Sequence, residues 1–269
     1  MSCFPAEYGK RVVVGDFAWR YYRLGAGPAV LWLTGGLRRA ALAATFLETL
    51  AARHTVIAPD YAAVTTIAEY MTAFDQMLRV ESVDRVALVG QSYGGMLAQA
   101  YLAHRPEAVV RLVLSSSGPA DFARGWLVAE KVLILLSRVL PERVLKRVVS
   151  AGLVRLTRQL PQPNRTQAAD LIRRVVRDEL CRADVVSHFA VAADLIRAQA
   201  ITPAAYRQWD GDVVVLRAEN DPTQSDKDIP RYEHLFGRRV AVVGLGQLGH
   251  TAVLTDPERY AELVERALG

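Results

Sequence analysis

The chain has 269 residues, 51% of them hydrophobic, and a formal net charge of +5. That length and apolar content suit one large domain or a domain with an inserted subdomain, and they exclude a disordered chain. Residues 1–10 hold no apolar run of the signal-peptide kind, and the purest apolar run, 132–136, is far too short to cross a bilayer, so a soluble cytoplasmic protein is expected.

Taken in order, short β-type runs alternate with helical patterns. Residues 11–14, 19–24 and 29–33 read as strands, and Thr34-Gly35-Gly36 follows the third. Residues 40–53 have helical periodicity and 55–58 read as a strand. Ala58-Pro59-Asp60 then leads into Tyr61-Ala62-Ala63-Val64, a connection without glycine. A helix over 66–80 and a strand over 85–89 precede Gly90-Gln91-Ser92-Tyr93-Gly94-Gly95, which opens into a helix over 96–104. Residues 109–114 are again a strand. Run 86–89 is continuously apolar and run 109–114 is apolar apart from Arg111, as expected of strands buried on both faces of a parallel sheet.

Strand character stops over 119–206, which reads as several helices broken by Pro141, Pro161 and Pro163: an all-helical insertion. The basic excess belongs here, with 15 Lys plus Arg against 9 Asp plus Glu between Asp121 and Asp210. Such an excess is usually a set of solvated helix faces; the sharper reading is an approach surface for an anionic substrate or an acidic carrier. Residues 142–158 form a basic amphipathic helix, whose apolar face is expected to pack on the sheet domain in preference to a membrane surface. No Lys/Arg stripe with interleaved aromatics suggests nucleic acid. Strands return at 212–217 and 239–243, with helices near 226–236 and 257–267. The expected fold is therefore α/β, with a mostly parallel central sheet flanked by helices, a core of 1–118 and 207–269, and a helical cap of 119–206.

Ser92 stands where a buried strand turns into a helix, flanked by glycines two residues to either side. A serine at the tip of so sharp a turn needs small neighbours, and it is a candidate nucleophile. Acyl transfer at such a serine also needs a base, and a carboxylate to orient that base. Asp221 follows the 212–217 strand in a polar loop, and His250 follows the 239–243 strand, so both project from the same sheet edge as Ser92. Asp226 and Asp228 remain alternatives for the acid. His54, His104, His188 and His234 read as structural. Gly244-Leu245-Gly246-Gln247-Leu248-Gly249 spells a dinucleotide-type G-x-G-x-x-G, but only twenty residues follow it, too few for the rest of a βαβ unit. Those glycines read instead as a turn that delivers His250. Cys3 and Cys181 lack metal or redox spacing and are too few for a disulfide framework, so neither a metal nor a cofactor is expected.

Over nearly its full length the chain resembles the α/β-hydrolase fold superfamily in its serine-hydrolase form with a helical cap. The resemblance rests on the elbow at Gly90 to Gly94, the acid loop at Asp221, Gly249-His250 followed by Asp256-Pro257-Glu258, and Thr34-Gly35-Gly36 where the family usually shows His-Gly. It implies a catalytic set of Ser92, Asp221 and His250, with the backbone N–H groups of Gly36 and Tyr93 as the oxyanion hole. The activity expected is cleavage of a carboxylic ester or thioester in a small acyl substrate through an acyl-enzyme on Ser92, and the basic insertion favours an anionic or carrier-bound one. The alternatives are a lyase, cyclase or cofactor-free peroxidase on the same fold, or a non-catalytic ligand-binding module. Where the family has a Gly-rich loop after Asp60 this chain has none, so an atypical pocket rim is expected there.

Overall fold

A computed structural model describes Phe4 and residues 6–269; Cys3 lies outside the described residues. The eight expected strands form one sheet: β1 (Gly9–Val14), β2 (Phe17–Leu24), β3 (Ala29–Leu33), β4 (Thr55–Pro59), β5 (Val86–Gln91), β6 (Val109–Ser115), β7 (Asp212–Ala218) and β8 (Ala241–Gly246). Their order is β1-β2-β4-β3-β5-β6-β7-β8. The β1–β2 and β2–β4 pairs are antiparallel, and every pair from β4 through β3 to β8 is parallel. The connections after β3, β5, β7 and β8 therefore leave from one edge of the sheet.

Both faces of the sheet are covered, which explains the largely apolar runs. Leu31, Leu33, Leu88, Leu112 and Leu114 point to the layer built by α2 (Ile67–Val80), α3 (Tyr93–His104) and α9 (Asp228–Phe236). Their neighbours Val30, Trp32, Val89 and Val113 point the opposite way, to α1 (Ala44–Leu50) and α11 (Pro257–Leu268). The period of two along a strand assigns alternate residues to separate cores. A capping box opens α2: the Thr66 hydroxyl accepts from the Glu69 N–H, and the Glu69 carboxylate accepts from the Thr66 N–H. Such a cap contributes about 1 kcal/mol. Three aromatic rings then tie α2 to the sheet, Trp19 meeting Tyr70 edge-on at 5.2 Å and Phe74 at 6.4 Å.

Between β6 and β7 lie α4 (Trp126–Val139), α5 (Glu142–Arg155), α6 (Asn164–Asp178), α7 (Arg182–Ala198) and the single turn α8 (Pro203–Tyr206). This is the helical insertion. Helix α4 packs on α7, and Arg182 of α7 closes the C-terminal end of α4 by donating to the carbonyls of Ser137, Arg138 and Leu140. The basic helix α5 packs on α6 rather than on the sheet. Its Val149, Leu153 and Val154 join Ile172, Val175 and Val176 of α6 in a small core that also takes in Leu37 and Leu42 of the sheet domain. This corrects the expectation that the apolar face of α5 packs on the sheet domain: it meets that domain at Leu37 and Leu42 and packs mainly on α6. Although α8 falls inside 119–206, it packs on α9 and α3, with the Tyr206 hydroxyl donating to the Gln99 carbonyl.

Candidate active site

The elbow is built from close approach. A Cβ on Gly94 would collide with the Leu33 carbonyl and lie 2.6 Å from the Thr34 oxygen, and one on Gly90 would lie 2.7 Å from the Gly95 Cα. Only glycine lets α3 pass this near to β3 and β5. Ser92 itself adopts φ +54° and ψ −118°, a conformation rare for an L-residue. It is held there by two backbone bonds: the Ser92 N–H donates to the Ser115 carbonyl and the Gly95 N–H to the Ser92 carbonyl, each at 2.8 Å. Helix α3 starts at Tyr93, three residues earlier than its apolar pattern suggests, because two glycines in its first turn hide the helical signal.

Ser92, His250 and Asp221 come together. His250 Nε2 is 3.0 Å from Ser92 Oγ, and His250 Nδ1 is 3.1 and 3.2 Å from the two Asp221 oxygens. Thr223 completes the set: its hydroxyl donates to Asp221 Oδ1 at 2.7 Å and lies 3.0 Å from His250 Nδ1. With the threonine proton on the carboxylate, Nδ1 is the donor to both oxygens, which leaves Nε2 to accept from serine. Burial alone would raise the Asp221 pKa, but hydrogen bonds from His250 and Thr223 and the electrostatic attraction of the His250 ring hold it below the ordinary carboxylate value. Asp226 pairs with Arg217, while Asp228 accepts from the Ser225 N–H and pairs with Arg231, so neither reaches His250.

The loops that carry Asp221 and His250 are tied to the elbow and to the helical insertion. Gln91, next to the serine, donates through Nε2 to the His250 carbonyl at 3.1 Å. Asn220 bridges the Gln247 carbonyl at 3.0 Å and the Gln159 carbonyl at 3.1 Å. Gly246 and Gly249 sit at φ +55° and +65°, and a Cβ on Gly249 would meet Leu160 at 2.8 Å, so the G-x-G-x-x-G stretch is the turn that delivers His250.

Gly36 and Tyr93 line the same cavity as Ser92 and His250, and their N–H groups donate to no backbone or side-chain acceptor among the described residues. Tyr93 N–H is also at the N-terminal end of α3, where unpaired amides and the helix dipole favour negative charge. Thr34, which stands in place of the family's histidine, accepts from the Tyr61 hydroxyl through its carbonyl at 2.8 Å. The glycine-free segment 61–64 does not line the cavity. Tyr61 and Val64 are core residues that support the Thr34–Gly36 turn from below, which corrects the expectation of an atypical rim.

Arg38, two residues beyond Gly36, was not legible as part of this support. It has φ +63° and is 1% exposed, with Nη2 donating to the Ala62 carbonyl and to Ser187 Oγ, and Nε 3.3 Å from Asp184. Arg38 thus fastens the Gly36 turn to α7 of the insertion.

His188 is the larger correction. The sequence places it among structural histidines, yet it faces the cavity, stacked on Tyr93 with ring centroids 4.1 Å apart. Its Cε1 lies 3.3 Å from where a Cβ on Gly36 would be. Burial, reinforced by the Arg38 charge, drives its pKa down from 6.5 to about 3, so the ring is neutral. His54 and His104 do what was expected of them, packing beside Glu265 and Asp75. The cavity has a volume of about 770 Å³ and mostly apolar walls, among them Trp32, Met96, Phe122, Leu153 and Ile196. Glu130 also lines it, half-buried, with Oε2 unpaired and its pKa raised by burial.

The sequence profile of the Alpha/beta hydrolase family matches residues 24–263, and the chain belongs to that family. Over 139 residues it is 30% identical to a 2-hydroxy-6-oxo-2,4-heptadienoate hydrolase of Pseudomonas putida, a match covering 45% of this chain and 49% of that protein. Over 109 residues it is 34% identical to an uncharacterized protein of Mycobacterium tuberculosis, covering 37% of this chain and 32% of the other. These matches span half or less of the length of either relative. The solved structure of a hydrolase from Pseudomonas aeruginosa superposes with a TM-score of 0.74 at 17% identity, covering 98% of this chain and 100% of that one, a likeness of fold.

Proposed function

We propose that the protein is a serine hydrolase that cleaves a carboxylic ester or thioester through an acyl-enzyme on Ser92, with His250 as base and Asp221 as its orienting acid. The observation that carries this reading is the unbroken chain from Ser92 Oγ through both His250 nitrogens to Asp221, at 3.0 and 3.1 Å, in the wall of a cavity. Ser92 Oγ attacks the acyl carbonyl as His250 Nε2 takes its proton, and Asp221 holds the imidazolium through Nδ1–H. The carbonyl oxygen becomes an oxyanion against the Gly36 and Tyr93 N–H groups, each such donor being worth about 3 kcal/mol. The leaving alkoxide or thiolate departs with the proton from His250. Water, giving a proton to His250, then attacks the acyl-enzyme, and that proton returns to Ser92 as the acid is released.

Residues 119–206 act in this reading as the cap that sets the substrate's shape. Its apolar walls fit a hydrophobic acyl group, and Glu130 offers a hydrogen-bonding partner at the cavity wall. Exposed cap cations such as Lys131, Arg138 and Arg147 do not line the cavity, so an anionic or carrier-bound substrate would meet them only through a part that stays outside. A second reading is favoured by the likeness to the Pseudomonas putida hydrolase, whose named compound, a hydroxy-oxo-dienoate, contains no ester: the same residues would then hydrolyse a carbon–carbon bond beside a ketone. Steady-state turnover of aryl esters, acyl thioesters and 6-oxo-dienoates by wild type and Ser92→Ala tests both. Loss of ester or thioester turnover by at least ~10⁴-fold in Ser92→Ala is expected. Turnover of the dienoate alone would favour the second reading, and turnover insensitive to Ser92→Ala would refute both.

A further inference from the structure

Helix α4 is built inside out. At 3.6 residues per turn Val128, Val132, Leu135 and Val139 form one stripe, and they are 68%, 50%, 59% and 64% exposed. Leu136 and Leu133 flank them, also exposed, while Ser137 is the one fully buried residue of the helix. Of the thirteen large hydrophobic residues exposed among the described residues, seven lie on α4, so this is a local concentration and not a scatter of single side chains. Lys131 and Arg138, seven residues apart, run along one flank of the stripe, and Arg124 stands in the turn just before the helix; all three are exposed and have no acidic partner among the described residues. The exposed Arg143 and Arg147 of α5 add two more cations just beyond. The only carboxylate on α4, Glu130, faces the cavity.

We propose that the outer face of α4 docks on an anionic lipid surface, the valine and leucine stripe entering the acyl boundary and the cation row lying against the headgroups. An apolar stripe edged by cations is the composition that lies in the plane of such an interface. Charge selects this occupant over a second copy of the chain, which would bring three more cations and no exposed carboxylate to the same face. Because α4 also walls the cavity with Trp126 and Glu130, docking brings the cavity beside the lipid. The inference does not rest on the hydrolytic reading.

Leu135→Trp places a probe on the stripe, since Trp126 lies on the cavity side of α4 and Trp19, Trp32 and Trp209 are buried. The full chain is mixed with vesicles of phosphatidylcholine alone or with phosphatidylglycerol, and cosedimentation and, in Leu135→Trp, tryptophan emission are recorded. Binding to phosphatidylglycerol vesicles with a blue shift is expected, weakened about tenfold or more by omitting the anionic lipid, by Lys131→Glu/Arg138→Glu, or by Val128→Asn/Val132→Asn/Leu135→Asn. These positions are solvent-facing, so unchanged circular dichroism and melting show that the variants fold. Absence of binding to phosphatidylglycerol vesicles overturns the proposal, as does equal binding to neutral ones. So does a dimer in sedimentation velocity that the asparagine variant dissociates while vesicle binding is absent.

Discussion

Ser92 occupies a backbone conformation that costs roughly 1–3 kcal/mol for an L-residue, and its neighbours exist to hold it there. Gly94→Ala should therefore unfold the elbow, lowering stability by about 3 kcal/mol or more, because its Cβ would strike the Leu33 and Thr34 carbonyls. Gly152→Ala, in α5 with open space around it, should instead stabilise by about 0.5–1 kcal/mol; urea unfolding of the two variants checks both signs. His188 gives a pH signature. Its folded pKa of about 3 lies below the unfolded 6.5, so between those values the unfolded chain binds the extra proton and stability falls as pH falls. Asp221 and Asp184, both held below the usual 3.8, begin to lose their contribution as pH falls through 3.8, at the acid end of the same window, and go on losing it below. His188→Gln should flatten the slope between pH 6.5 and 3, by up to ~1.4 kcal/mol per pH unit, in unfolding titrations across that window. Ser92, Asp221 and His250 were legible because each sits at a fixed offset from an apolar strand. His188 and Arg38 were not, since their places depend on how α7 crosses the Gly36 turn, and Arg38 meets Ser187 across 149 residues of chain.

At the scale of elements, α7 is the hinge between insertion and sheet. Asp184 in its first turn receives Arg38 at 3.3 Å, Arg39 at 2.9 Å and the Cys181 N–H at 3.0 Å. Burial alone would raise the Asp184 pKa; the Cys181 hydrogen bond and the two guanidinium charges lower it. Asp184→Asn leaves Arg38 buried without its counter-charge, and a loss of about 3–5 kcal/mol is expected in urea unfolding. A fall in kcat/KM should accompany it under conditions where the variant remains folded, because the Gly36 turn loses its tie to α7. Arg38→Met/Asp184→Leu should recover much of the stability but not the rate. The helices themselves were readable from periodicity, α2 and α11 to within a residue or two of their ends. Their partners were less so: the pattern of α5 fits equally well against a sheet or against α6, and only the fold chooses.

For the whole molecule, a parallel sheet covered on both faces makes the site possible. It sends the connections after β3, β5, β7 and β8 out of one edge, so the proposed hole, nucleophile, acid and base converge from segments as far apart as Gly36 and His250. That convergence was predictable from strand order and chain position, whereas the shape of the cavity was not, since five separate segments and the insertion line it. The central claim is that Ser92 becomes acylated during turnover. Rapid quenching of the full chain with a short-chain aryl ester, followed by intact mass and peptide mapping, tests it. The account predicts a mass gain equal to the acyl group on the peptide holding Ser92, absent from Ser92→Ala and accumulating in His250→Ala if that variant acylates at all. Turnover of the ester with Ser92 unmodified at every quench time, and undiminished in Ser92→Ala, would contradict it.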